Sequence, residues 1–341
     1  MQLLYATAVV LAVFSVGACS SNPVDAPPPT IVPAQAADSP PATSPPPAVV
    51  RPLTAHASAA VFDAATKSLV TLAPGADGRS VVTVMSADGG TAAVDTDGVA
   101  TAMTGSGDGR LFLSTRGGYF RVDLARRVAT KVGVDGAETV DFTAIARRAD
   151  GRLVLGSADG AVYTLSSDTA VAAKLKIFAR VDALVTQGDT AVVLDRGQTS
   201  VTTINTEGTD SEHALRAGEG ATTMTADRAG RVLVADTRGG ELLVYTVDPL
   251  MLRQRYPVPD APYGLTSSAG GKGSGLAWVA QTATNTVVGY DLATGIPVEK
   301  VRYRTVRQPN SLAYDDASGT LYVVSGSGAG VQVIADAGGG R

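Results

Sequence analysis

The chain returns to one short pattern at a near-constant interval. Asp108-Gly109-Arg110-Leu111-Phe112-Leu113 and Asp150-Gly151-Arg152-Leu153-Val154-Leu155 stand 42 positions apart, and Ala229-Gly230-Arg231-Val232-Leu233-Val234 is a third plain copy. Once these are aligned, weaker copies emerge at Lys67-Ser68-Leu69-Val70-Thr71, Thr190-Ala191-Val192-Val193-Leu194, Ser274-Gly275-Leu276-Ala277-Trp278-Val279 and Ser318-Gly319-Thr320-Leu321-Tyr322-Val323. An interval of this length filled with short apolar, β-branched runs matches one four-stranded blade. Seven units therefore predict an all-β, seven-bladed β-propeller around a central channel.

The unit between Thr143 and Phe178 shows how a blade is encoded. Apolar and polar residues alternate over short windows broken by Gly or Asp turns, which is the period of a strand. Thr143–Ala146 is the expected inner strand, Arg152–Ser157 the second, Ala161–Leu165 the third and Ala170–Phe178 the outer one. Ala158-Asp159-Gly160 joins the second to the third, because Asp-Gly supplies the positive φ angles of a tight hairpin. Equivalent turns stand at Arg116-Gly117-Gly118, Arg196-Gly197-Gln198 and Thr237-Arg238-Gly239-Gly240. The last unit lacks an outer strand before its Gly338-Gly339-Gly340-Arg341 tail, and Val49–Thr54 is placed to supply one. Such a pairing of the two ends removes the open sheet edge.

The segment ahead of the array has a different composition. Leu3–Val16 is almost wholly apolar and too short for a membrane span of about 20 residues, but it suits the apolar core of a secretory signal. Met1-Gln2 departs from that pattern, since it carries no Lys or Arg. Val16-Gly17-Ala18-Cys19 resembles the bacterial lipobox, and Cys19 is the only cysteine in the chain. The resemblance implies cleavage after residue 18, lipidation of Cys19 with fatty acyl chains such as palmitate, and an extracytoplasmic protein anchored to the cell membrane. From residue 19 to 50 the chain is rich in Pro, Ala, Ser and Thr, which cannot bury a core and favours extended polyproline II. This part is expected to be a disordered tether, with Thr30, Thr43 and Ser44 exposed to O-linked modification. The division is thus signal 1–18, tether 19–50, propeller 51–337 and tail 338–341. A net charge of −4 without a basic stripe argues against nucleic acid as a partner.

The repeat is not a WD40 blade, for the chain has one Trp and no Trp-Asp dipeptide. Pro262-Tyr263-Gly264-Leu265, Leu276-Ala277-Trp278-Val279 and Asn285-Thr286-Val287-Val288-Gly289-Tyr290-Asp291 instead resemble the YVTN/NHL class of bacterial propellers. Pro309-Asn310-Ser311-Leu312-Ala313-Tyr314-Asp315 in the last unit agrees with it. Together with the lipobox and tether, the whole chain is similar to actinobacterial, mycobacterial-type cell-envelope lipoproteins. That resemblance implies an extracytoplasmic binding or accessory role and transfers no chemistry.

No catalytic set is legible. His56, near the ring closure, and His213, on an expected outer strand, have no partner spaced as a metal pair or a triad. The primary expectation is a monomeric, non-enzymatic binding or scaffold protein without a cofactor, engaging an envelope protein or a small ligand. Its candidate rim comprises Asp141, Arg180, Asp182, Tyr263, Arg307 and Asn310, carried on loops at residues 135–141, 180–182, 217–221, 259–264 and 304–310. The alternative is a Ca²⁺-dependent lactonase or related hydrolase, because the Pro309-Asn310 segment resembles that of gluconolactonase-type propellers, where this Asn ligates calcium. A hard divalent ion needs several further oxygen ligands, and Asp141, Asp182 and Asp227 are the carboxylates expected at the ends of inner strands. Asp123, Asp236 and Asp291, which close strands, are expected to bond local backbone amides.

Overall fold

A computed structural model describes residues 29–42, 44–53, 55–270 and 275–339. The signal at 1–18, Cys19, the first part of the Pro-rich segment and Thr43 lie outside the described residues. Seven four-stranded antiparallel sheets form the molecule, each with its strands in chain order except the last. Each inner strand lies against the inner strand of the next blade, and that of blade seven lies against that of blade one, which closes the ring. The inner strands are Ala59–Asp63, Ala100–Gly105, Phe142–Arg147, Ala183–Gln187, Ala221–Ala226, Pro262–Ser267 and Pro309–Asp315, for blades one to seven. This is the seven-bladed propeller expected from the repeat.

Blade three follows its expected phase closely, with strands at Phe142–Arg147, Leu153–Ser157, Ala161–Leu165 and Val171–Lys176. Gly160 turns the hairpin at φ 81°. The middle strands of a blade are buried on both faces, because each blade is sandwiched between two others. Leu153–Ser157 and Ala161–Leu165 are fully buried, whereas the outer Val171–Lys176 alternates between half-buried and exposed. Apolar side chains from adjacent blades interleave into one cluster per blade interface; Phe142, Leu155 and Tyr163 of blade three, for example, pack with Phe112 and Tyr119 of blade two.

Val49–Arg51 pairs antiparallel with Val331–Ile334 as the outer strand of blade seven, with Val49 opposite Val333 and Arg51 opposite Val331. The start of the array thus completes its end. Arg51 then reaches blade one, donating to the carbonyls of Ser86 at 2.9 Å and Ala87 at 2.6 Å. Leu53 and Ala57, just beyond, are buried against Leu69, Tyr322 and Val331. The junction is held by side chains of both blades as well as by the strand ladder.

Two local devices position the loops of one face. In an antiparallel blade the second-to-third hairpin and the connection from the preceding blade emerge at the same end, so these two sets of loops share one face. The second strand of blades two to seven ends there in a buried polar residue: Thr115, Ser157, Asp195, Asp236, Gln281 and Ser325. Asp236 accepts bonds from the backbone N–H groups of Glu219, Gly220 and Gly239 at 2.8, 2.8 and 3.0 Å. Asp195 does the same for Ala179, Arg180 and Gln198. Each of these two carboxylates locks the incoming loop to its own hairpin. The second device is a β-bulge at the entrance of the inner strands of blades two, three, five, six and seven. A bulge leaves one residue unpaired and re-aims its side chain. Thr101 and Thr143 sit at two of these bulges and donate to the carbonyls of Phe142 and Val181 in the following blade, at 2.6 and 2.5 Å. Neighbouring inner strands are thereby stitched together at the mouth of the channel.

Over its described part, the Pro-rich segment lies against the propeller instead of extending from it. Residues 31–42 and 44–47 run along the loops of blades four to seven on this same face. They are held at intervals by hydrogen bonds, beginning with Ile31 N–H to the Gly197 carbonyl at 2.8 Å and ending with Gln332 to the Pro47 carbonyl at 2.7 Å. Proline-rich backbone has few donors but keeps every carbonyl, and the propeller supplies the donors.

Candidate functional site

The face bearing these loops gathers the candidate rim residues into three groups. In the first, Asn310 is the bulged residue at the entrance to blade seven's inner strand. Its Oδ1 accepts from Gln308 Nε2 at 3.0 Å, and its N–H donates to the Gln308 carbonyl at 2.8 Å. Two glycines make room for it: a Cβ on Gly264 would come within 3.0 Å of the Asn310 carbonyl oxygen, and one on Gly326 would meet its side chain. Arg307, on the same loop, donates through Nε to the Ser39 carbonyl at 3.2 Å.

Gln308, between Arg307 and Pro309, adopts a left-handed backbone at φ 56°, which turns its side chain and N–H toward the Pro-rich segment. Its Oε1 accepts from Ser39 N–H at 2.9 Å, its Nε2 donates to the Ala37 carbonyl at 2.9 Å, and its N–H donates to Ser39 Oγ at 3.1 Å. Ser39 Oγ donates to the Thr282 carbonyl at 2.6 Å, and Asn285 Nδ2 donates to the Pro40 carbonyl at 2.9 Å. Ser39 is 3% exposed.

The second group surrounds Asp182. Arg180 Nε lies 3.1 Å from one carboxylate oxygen, and the Arg196 backbone N–H donates to the other at 2.8 Å. The Arg196 guanidinium donates to the Ala34 carbonyl, and Arg238 Nη2 donates to the Val32 carbonyl at 2.7 Å. Burial pushes the Asp182 carboxyl above its ordinary value of 3.8, against the opposing Arg196 N–H bond and the charges of Arg196 and Arg180. An acid raised on folding binds its proton more tightly in the native state, so its contribution to stability is greatest below 3.8 and falls as pH rises toward the folded value. Replacing Arg196 with Gln removes one of the opposing charges. Asp182 in that variant is expected to titrate higher than in the parent by carboxyl NMR, with the pH window of declining stability widened upward; an unchanged or lower titration point would contradict the assignment.

The third group is the exposed ion pair of Arg116 and Asp141, at 3.3 Å, away from the other two. Tyr263 is half-buried at the entrance to blade six, where its carbonyl accepts the Thr223 hydroxyl. Asp227 does not join any of these groups. It follows blade five's inner strand at the opposite face, where it accepts from the N–H groups of Ala229 and Arg231 and pairs with Arg231 Nε at 2.6 Å. Among the described residues no group of three His, Cys, Asp or Glu side chains gathers as a metal site. His56 is exposed, and His213 is exposed on an outer strand.

Sequence reasoning missed Arg196, Arg238, Asn285 and Gln308, which make most of the contacts to residues 32–40. A signal was present. Arg116, Arg196 and Arg238 recur on the second-to-third hairpin of blades two, four and five, where a turn by itself calls for no arginine.

No family model matches the chain, and no curated protein matches it. Solved structures do. A chain of the mitotic checkpoint complex aligns with a TM-score of 0.70 at 12% identity, covering 90% of this chain and 99% of that one. Streptogramin B lyase aligns at 0.68 with 8% identity, covering 85% and 97%. Virginiamycin B lyase from Staphylococcus aureus aligns at 0.66 with 11% identity, covering 83% and 97%. Likeness at such low identity, among proteins this different, establishes the seven-bladed β-propeller fold and no shared chemistry.

Proposed function

We propose that this chain is an exported, lipid-anchored propeller that acts as a monomeric, non-enzymatic binding or scaffold protein of the cell envelope, through the face that carries Arg180, Asp182, Tyr263, Arg307 and Asn310. One observation carries the reading: that face already holds an extended stretch of polypeptide by its main chain. Arginine, asparagine and glutamine side chains from separate blades converge on carbonyls along one segment, which is how a surface recognises a peptide. Cys19 supports the anchor, because diacylation gives stable membrane attachment where one acyl chain does not.

The test is crosslinking and affinity purification of the tagged, lipidated chain from native membranes, with a tether-only control. Arg180→Glu and Tyr263→Ala are expected to lose a captured protein that Arg228→Glu, on the opposite face, retains. Capture that ignores the face altered, or that the tether alone reproduces, overturns the reading. Cys19→Ala is expected to abolish labelling of the protein by a palmitate analogue, and retention in the membrane fraction with that labelling unchanged would refute the anchor.

A further inference from the structure

We propose that the loops of blades four to seven form a groove for an extended, Ser-Pro-containing peptide of a partner protein, and that residues 32–40 of this chain are its built-in occupant. The inference rests on the binding role given above and specifies what the face binds.

The groove reads two side chains and otherwise main chain. Along residues 31–40 only Ala34 and Ser39 are buried, while Val32, Gln35, Asp38 and Pro40 are exposed. Ala34 is 7% exposed and sits over Gly220, where a Cβ would come within 3.0 Å of the Ala34 methyl and 2.8 Å of Arg238 Cβ. The absence of a side chain on Gly220 thus makes the room that the buried Ala34 methyl takes. Five residues on, Ser39 enters a site whose donors and acceptors match a hydroxyl and its flanking peptide groups: Gln308 accepts from its N–H, Arg307 donates to its carbonyl, and Thr282 accepts from its Oγ. Asn285 then takes the carbonyl of the following proline, a residue with no N–H to leave unpaired. The two anchor positions are separated by about 15 Å in polyproline II geometry. The sequence read by the groove is therefore a small residue, four unread positions, then Ser-Pro.

The occupant is suited to being replaced. Its two buried side chains are small, those of Ala34 and Ser39, and its hydrogen bonds are side chain to main chain, each contributing about 1 kcal/mol net. It leaves the buried Arg196 Nε without a partner among the described residues, so a different peptide has a donor still to engage. Its hold derives from connection: eight residues, 41–48, link Pro40 to the closing strand at Val49, which puts the effective concentration in roughly the millimolar range. A partner segment must outcompete that, and the occupant thereby sets a threshold on binding.

The full chain bearing Ser39→Arg loses the occupant's main anchor and leaves every groove residue in place. A fluorescein-labelled peptide of residues 30–42 is the probe, followed by anisotropy. Ser39→Arg is expected to bind it at least about tenfold more tightly than the parent, whose groove is occupied in cis. The same peptide carrying Arg in place of its serine should not bind. Adding Asn285→Ala and Gln308→Ala to Ser39→Arg should abolish binding of the unaltered peptide. Ala34→Arg, which breaks the other anchor, provides a second route to the open groove if Ser39→Arg does not fold. A folded open variant, with unchanged circular dichroism and melting temperature, that binds the peptide no better than the parent overturns the proposal. The binding role itself fails on a different result, the insensitivity of membrane capture to the face altered, so the two failures are distinguishable.

Discussion

Asp236→Ala is expected to destabilise the propeller by about 3–5 kcal/mol, since it removes a buried acceptor from three backbone N–H groups and hydrogen bonds to a charged group contribute about 1.5–3 kcal/mol each, part of which water at the loop recovers. Asp236 is fully buried, and the groups it holds belong to two different segments: Glu219 and Gly220 on the loop entering blade five, and Gly239 on that blade's own hairpin. Its loss separates the segments. The midpoint of denaturant unfolding should fall with the slope unchanged, and Asp236→Asn, which keeps an acceptor oxygen, should lie between the alanine variant and the parent. Hydrogen exchange at Ile31 N–H, which donates to Gly197 on the neighbouring hairpin, should accelerate as the loop under Ala34 loosens. A change below about 1 kcal/mol, less than one such bond contributes, would mean that the loop is held by other contacts.

Trp278→Ala should cost about as much, roughly 3–5 kcal/mol, the range for deleting a buried large aromatic. The indole is fully buried at the junction of blades six and seven. It stacks on Tyr303 at 6.4 Å and on Tyr314 at 6.1 Å, between ring centroids. Gly289, opposite Trp278 in the ladder, makes space for it, as a Cβ there would come within 3.0 Å of the ring. A rigid ladder and two neighbouring rings leave little scope for collapse into the void. Trp278→Phe should restore much of the stability that alanine loses, because the indole N–H has no hydrogen-bond partner among the described residues and the substitution forfeits volume alone. Equal destabilisation by Phe and Ala would show that the indole shape, rather than buried area, fixes the blade junction.

These two residues also mark the limits of legibility. Asp236 was readable as a strand-closing residue that bonds local amides, and so were Asp123, which accepts from Arg126 N–H, and Asp291, which accepts from Ala293 N–H. What the sequence does not display is that Asp236 also holds a loop some 17 residues back. Strand phase puts the loops that enter each blade at one end of the sheets, but it says nothing of which side chains on them meet. Asp141 pairs with Arg116, Asp182 with Arg180, and Arg307 turns to Ser39, so the rim divides into separate groups. The same reasoning left Asp227 as a carboxylate at an inner-strand end without saying which end, and it lies on the opposite face.

Blade number, strand phase and ring closure followed from the sequence alone, because each rests on a local cause that repeats: two-residue alternation for strands, glycine at positive φ for hairpins, and an outer strand missing at one end and supplied at the other. The Pro-rich segment's resting place did not. Its composition denies it a core of its own and says nothing about a surface that supplies donors for its carbonyls. The contacts that dock it span 206 positions from Val32 to Arg238 and 269 from Ser39 to Gln308. Recurrence of arginine on equivalent hairpins marks Arg196 and Arg238 but not what they meet, and only closing the ring brings them together with Asn285 and Gln308 along one segment.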